Sequence, residues 1–264
     1  MPSVPRPDRT TMPGMMWNTN YILGKAVDPK TVGIPRKLFE HRDLKGIVIV
    51  SVVEAGFIWS GSVGTGLLMA RRNGKWSAPS AIGLAGAGWG FIAGASHKDI
   101  FYFIFDDQTL QAIAGDVGVK MGGQAEITLG PFGRSAEVNL NLSNKGLGAS
   151  IAAVSFTSGL FAGVSVEGAS LSPRSAVNET YYSSTATPHQ IIFDDAVHVP
   201  EGTLMPQIYE KLDKLLQGAI HEPTPEELAQ VDEAFEVAQA AGEKARQNDD
   251  VIEVNAKVAN KEDP

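Results

Sequence analysis

The sequence contains no cysteine. That absence excludes a disulfide framework, a thiolate zinc site, an iron–sulfur cluster and a cysteine nucleophile. A secretory leader pattern is also missing. Residues 1–30 place Arg6, Asp8 and Arg9 among prolines and offer no apolar stretch ahead of a small-residue cleavage site, so the expected address is cytoplasmic. Phosphate-binding motifs fail when read literally. Gly61-Ser62-Val63-Gly64-Thr65-Gly66 has no lysine and hydroxyl residue after it, and Gly86-Ala87-Gly88-Trp89-Gly90 does not complete a dinucleotide fingerprint. Gly163–Gly168 is one residue too long for a nucleophile elbow around Ser165.

Metal ligands are sparse. No two of His41, His97, His189, His198 and His221 stand at a ligand spacing on one helix. Asp194, Asp195 and His198 form the densest polar cluster, but neighbouring carboxylates on an extended segment point to opposite faces. A hidden hydrolase would need these three side chains to converge. The expectation is therefore no catalysis, no cofactor and no metal.

Charge is scarce in the middle of the chain and polarised along it. Residues 1–75 hold 11 Lys/Arg against 5 Asp/Glu, residues 76–202 hold 5 against 11, and residues 203–264 hold 6 against 14. A basic first third on a chain of net charge −8 predicts an oriented surface that meets something anionic. The whole-chain pI near 5.2 argues against a nucleic-acid partner.

What is abundant is glycine, with 22 of 28 glycines between Gly46 and Gly168. The runs Ile47–Val53, Ile100–Phe105, Glu137–Ser143 and Leu160–Gly168 are β-branched, aromatic or alternating, and turn dipeptides such as Asn73-Gly74 separate such runs. Together they predict an α+β domain, a glycine-rich antiparallel barrel or sandwich flanked by helices. Trp76–Ser96 carries no charge over 21 residues, long enough for a membrane span. Its proline, serines and glycines favour a long bent strand instead. Helices are predicted over 15–27 and 34–43, over Thr203–Gln217, and from the capping sequence Thr224-Pro225-Glu226-Glu227 to about Gln247. Asp106 reads as the cap of a further short helix. Residues 1–13 and 249–264 read as tails.

The candidate contact residues are basic. Arg36, Lys37, Arg42 and Lys45 precede the first strand, and Arg71, Arg72 and Lys75 sit at a hairpin. If six such charges faced an anionic membrane at roughly 1 kcal/mol each, the attraction would reach about 6 kcal/mol, a dissociation constant of roughly tens of micromolar. Trp17, Tyr21 and Ile22 would join them if residues 15–27 formed an interfacial amphipathic helix, whereas a helix packed on the sheet would bury its apolar side.

Six blocks occur in order: 45–49, Glu54–Gly61, Gly74–Ile82, Ala85–Gly88, Gly130–Glu137 and Gly159–Gly168. Together they resemble the SYLF-domain family over about residues 34–195. The resemblance implies a non-enzymatic module that binds phosphoinositide-containing membranes, with actin filaments as the other partner known for family members. A purely protein-interaction role is the remaining alternative. It implies a peripheral location at plasma membrane, endosomes or cortical actin. On this reading residues 14–202 are the SYLF-like domain and 203–248 an acidic helical extension. In that family, fungal and animal members usually join the domain to a C-terminal SH3 domain, whereas residues 203–264 here are acidic and helical in pattern, which departs from the basis for recruiting proline-rich actin-nucleation partners. The acidic tail is expected to bind another protein or to fold back on the basic first third.

Overall fold

The computed structural model describes residues 7–27, 43–115, 119–128, 136–140 and 151–217. Helix α1 (Met12–Ala26) precedes a long strand β1 (Gly46–Arg72), a short β2 (Lys75–Trp76) and a second long strand β3 (Ser80–Ile104). Helix α2 (Asp107–Ala114) leads to β4 (Val119–Thr128), β5 (Ala136–Leu140) and the long β6 (Ile151–Pro173). Three helices follow, α3 (Ser175–Tyr182), α4 (Pro188–Phe193) and α5 (Met205–Gln217). The α+β antiparallel architecture expected from the sequence is present. Among the described residues the sheet is not closed into a barrel: its order is β2-β1-β3-β6-β4, with β5 also on β6. The helices expected over 34–43 and 224–247 fall outside the described residues.

The three long strands share one antiparallel ladder. β1 meets β3 from Gly46 opposite Ile104 to Leu68 opposite Ser80, and β3 meets β6 from Ile82 opposite Pro173 to Ile104 opposite Ile151. Such lengths far exceed the usual strand of about 5–6 residues. They are possible here because the sheet bends. The register of β1 against β3 shifts between Phe57 and Trp59, and around that irregularity β1 folds back along itself. A side chain on Gly66 would stand 1.9 Å from the carbonyl oxygen of Ile49, one on Gly64 2.8 Å from that of Ser51, and one on Gly56 2.5 Å from that of Trp59. Farther out, the Arg71 amide donates to the Lys45 carbonyl at 2.7 Å. The two ends of one strand therefore meet, and only glycine permits the backbones to approach this closely.

Alternation along the strands divides the core into two layers. Ile47, Ile49, Leu67, Met69, Phe101 and Phe103 face α1 and α5, where Met15, Ile22, Leu23, Ile208 and Leu212 are buried. Val48, Val50, Leu68, Ile82, Tyr102 and Ile104 face α2 and Ile192 of α4. Sheet faces covered by helices on both sides explain why the strand ends read as continuous apolar runs. Asp106 caps α2 by accepting from the Thr109 amide at 2.9 Å, as its position in the sequence implied. Thr187 and Gln190 form a reciprocal capping box on α4.

Side chains from the last helices lock the entry to β3. The Tyr182 hydroxyl donates to the Pro79 carbonyl at 2.7 Å, and the Tyr209 hydroxyl donates to the Ser77 carbonyl at 2.9 Å. Burial pushes the Tyr209 phenol up to about 12. Buried Asn178 accepts from the Ala81 amide at 2.8 Å and donates to Ser80 Oγ at 2.9 Å, so it completes the edge of β3.

The glycine crossing yields a paired expectation. Gly66→Ala would push a methyl group into the Ile49 carbonyl, whereas the Gly61 position has nothing within 4 Å. We expect Gly66→Ala to lose at least about 1–3 kcal/mol of stability, the usual cost of overpacking, with Gly61→Ala close to neutral. Denaturant unfolding of the two variants checks this, and equal losses would contradict the crossing.

Candidate functional site

The hairpin joining β1 to β2 turns on Asn73 and Gly74, whose φ angles of 50° and 78° are both positive. That conformation suits an Asn-Gly pair in a tight antiparallel turn. It places Arg72 opposite Lys75 and Arg71 opposite Trp76. The Lys45–Arg71 backbone bond brings the start of β1 to the same place. Lys45, Arg71, Arg72 and Lys75 thus share one end of the sheet. Arg36, Lys37 and Arg42 lie outside the described residues.

The four cations differ in freedom. Lys75 is exposed at the turn and Lys45 is half-buried beside it. The Arg71 guanidinium sits 6.0 Å from the Trp76 ring centroid. That of Arg72 donates to the Phe193 carbonyl and lies 5.5 Å from its ring. Trp76 is held from the other side, since its Nε1 donates to Asp213 of α5 at 3.0 Å. Lys75 and Arg72 are exposed, Lys45 and Arg71 are half-buried, and the two arginines lie against aromatic rings.

Helix α1 separates the three residues expected at an interface. Trp17 and Tyr21 stack at 5.6 Å on its outer side, Tyr21 is 44% exposed, and Lys25 Nζ lies 4.4 Å above the Tyr21 ring. Ile22 points the other way and is 2% exposed within the core. In this conformation the apolar side of α1 packs on the sheet, and the outward residues are Trp17, Tyr21 and Lys25.

Register creates a second polar site that was not anticipated. Ser51 of β1 pairs with Asp99 of β3, two residues along the ladder from the Val53–His97 pair and so on the same face. Ser51 Oγ donates to Asp99 Oδ1 at 2.7 Å, and His97 Nε2 stands 2.9 Å from the same hydroxyl. Arg9, on the segment ahead of α1, donates to Ser51 Oγ at 3.2 Å. Lys25 Nζ approaches Asp99 Oδ2 at 4.0 Å. Burial raises the Asp99 carboxyl, but hydrogen bonds from His97 and Ser51, with the charges of His97 and Lys25, outweigh it and leave the group below its ordinary value.

Serine, histidine and aspartate invite comparison with a hydrolytic triad. The geometry argues against it: one imidazole nitrogen, Nε2, faces both the hydroxyl and the carboxylate, which lies 3.4 Å away. A triad needs the carboxylate on the opposite ring nitrogen. The serine proton is also directed to the carboxylate. This cluster fastens Arg9 and Lys25 to the sheet. The other candidate set does not converge: Asp194, Asp195 and His198 are exposed, and Asp194 lies 4.0 Å from His189 rather than against His198. Among the described residues no group of three acidic or histidine side chains has metal-binding geometry. No described helix is long and apolar enough to cross a membrane.

Residues 85–217 match the Ysc84 family, described as Las17-binding protein actin regulator. The chain is 38% identical over 157 residues to Protein YSC84 of Saccharomyces cerevisiae, covering 59% of this chain and 33% of that protein. It is 36% identical over 174 residues to human SH3 domain-containing YSC84-like protein 1, covering 66% and 49% respectively. Against LAS seventeen-binding protein 3 of S. cerevisiae it is 41% identical over 150 residues, 56% of this chain and 32% of that protein. The chain thus spans between a third and a half of the length of these relatives. No solved structure matches.

The Asp99 cluster sets an acid dependence. Its carboxyl is depressed in the folded protein relative to the ordinary 3.8, so its contribution to stability is complete above about pH 4 and is lost as pH falls below it. Asp99→Asn should cost about 1–3 kcal/mol at neutral pH and flatten that acid limb. Unfolding measured from pH 3 to 7 checks it, and an unchanged acid limb would remove Asp99 from this role.

Proposed function

Because the chain belongs to the Ysc84 or SYLF family, we propose that it acts as a peripheral adaptor between anionic, phosphoinositide-containing membrane and the cortical actin machinery of endocytosis, without a catalytic step. The observation that supports this reading is the gathering of Lys45, Arg71, Arg72 and Lys75 at one end of the sheet, on a chain that is otherwise acidic. Lysine heads suit a fluid anionic surface because they act as point charges, while the ring-braced arginines hold the hairpin in shape. Arg36, Lys37 and Arg42 precede this end in sequence and are proposed to add to it. Trp17 and Tyr21 would support the contact from α1.

A second reading is direct binding of actin filaments through the same cations. It is favoured by the family description, Las17-binding protein actin regulator. Both readings require an anionic partner, and salt weakens either.

Lys45→Gln with Lys75→Gln removes the two lysine charges of this end and leaves the ring-contacting arginines in place. At roughly 1 kcal/mol per charge, flotation with phosphoinositide-containing vesicles at low salt should weaken about 30-fold. Unaltered flotation would overturn the membrane reading. Loss of filament cosedimentation in the same variant, with vesicle binding intact, would assign the cations to actin.

A further inference from the structure

The hairpin end of the sheet carries charge without counter-charge. Arg72 and Lys75 stand directly opposite each other across the two strands, an arrangement in which like charges repel. Lys45 is brought beside them by the bond between its carbonyl and the Arg71 amide. Among the described residues, no carboxylate pairs with Lys45, Arg71, Arg72 or Lys75. Acids that come near are turned elsewhere: Asp213 accepts from Trp76 Nε1, and Asp194, which follows the Phe193 that Arg72 contacts, stands 4.0 Å from His189. An anion at this end would relieve the repulsion.

Helix α5 delivers the rest of the chain to the same place. Its Tyr209 donates to the Ser77 carbonyl and its Asp213, one turn later, accepts from Trp76, so the helix advances along the hairpin toward Lys75. It ends at Gln217, a further turn of about 6 Å beyond Asp213. The cation in its last turn does not enlarge the basic end, because Lys214 is paired with Glu210 at 2.7 Å.

The sequence that leaves Gln217 is the electrostatic complement of this end. Residues 218–243 hold seven Asp/Glu, from Glu222 to Glu243, and no Lys or Arg. Mixed charge returns only afterwards, with Lys244, Arg246, Lys257 and Lys261 among five acids over residues 244–264. Glu222 is five residues from Gln217, at most about 18 Å of chain. A segment tethered this closely meets its site at roughly millimolar effective concentration, an advantage over any free acidic protein.

We propose that the acidic stretch from Glu222 to Glu236 folds back onto the hairpin end of the sheet, where its carboxylates face Lys45, Arg71, Arg72 and Lys75 and compete with an anionic membrane for them. The competition rests on the membrane reading above, whereas the contact within the chain does not. An incoming anionic surface has to displace the stretch, so the basic end binds with an affinity reduced by the fraction of time it is covered.

The contact is tested on the full chain with a carbodiimide, which joins a carboxylate to a lysine amine only where the two touch. At low salt, peptides carrying Glu222–Glu236 should couple to Lys75 and Lys45 within one chain, and high salt should abolish the coupling. A mixture of light and isotopically heavy chains separates coupling within a chain from coupling between chains. No coupling to Lys45 or Lys75 would overturn the proposal, as would coupling confined to Lys211 and Lys214, the neighbours on α5. Coupling found only between chains would assign the acidic stretch to a second copy and likewise overturn it. The competition is tested by neutralising the stretch in one variant, with Glu222, Glu226, Glu227, Glu233 and Glu236 changed to Gln and Asp232 to Asn. Its flotation with phosphoinositide-containing vesicles at low salt should strengthen about tenfold, the factor for a site open one-tenth of the time, and the difference should close in high salt. Equal flotation of the two forms would overturn the competition. Absence of flotation by both would overturn the membrane reading alone, because the coupling result needs no vesicle.

Discussion

Contact between the backbone of β1 and itself is the constraint on which the rest of the molecule depends. Gly64 and Gly66 lie against Ser51, Val52 and Ile49 with no room for a side chain, and Lys45 and Arg71 are tied by a backbone hydrogen bond. Once those two halves are in register, the pairing of β3 with β1 from Gly46 to Leu68, interrupted between Phe57 and Trp59, fixes where β3 must bend as well. β6 then follows β3 along its full length. Both core layers draw residues from both halves of β1, so neither could form if the halves stood apart. The same closure makes the molecule two-ended. It collects cations where the chain enters and leaves β1, and it leaves uncharged sequence at the bend.

Much of this was legible in the sequence because the signals were local. Asn73-Gly74 announced its hairpin, Asp106 its helix cap, and the spacing of Leu204, Ile208, Leu212 and Leu215 announced α5. The glycine-rich stretches read as bent strands, and the uncharged run from Trp76 to Ser96 became the entry to β3 and most of that strand rather than a membrane-spanning helix. The six ordered blocks pointed to the family to which the chain belongs. Long-range register was not legible. Ser51, His97 and Asp99 carry no mutual spacing signal, because they meet only after β1 and β3 pair. Arg9 would have been read as part of a tail, yet it donates into that cluster, and Thr65 Oγ1 donates to its carbonyl at 2.8 Å. The direction in which α1 faces was also a tertiary matter. Met15, Met16, Ile22 and Leu23 suit either a membrane surface or a core, and it is the apolar face of Ile49, Met69 and Phe103 that claims them.

Electrostatics in this protein is organised by distance rather than by amount. The cations at the hairpin are two lysines and two arginines that lie against aromatic rings, and charges exposed like those of Arg72 and Lys75 are the kind that salt screens. The Glu54–Lys98 pair is different. It is buried, with the two charges 2.6 Å apart, and removing one of them would strip a buried charge of its ion-pair partner. Asp99 lies between these extremes, depressed by hydrogen bonds that also anchor the segment before α1.

The docking of α1 against α5 has a consequence for synthesis. Lys211 donates to the Asn20 carbonyl at 2.9 Å and to its side chain at 2.7 Å, and the buried methionines of α1 share their layer with Ile208, Leu212 and Leu215. Helix α1 therefore leaves the ribosome well before its partner α5. At about 5–20 residues per second, the nascent chain spends roughly ten seconds or more with that helix unsealed. Hairpin pairing of β1 with β3 is local and can proceed meanwhile, whereas addition of β6 closes a longer loop and is slower. The interval is one in which a chaperone would find an apolar helix to hold, and truncation ahead of residue 205 would make that exposure permanent.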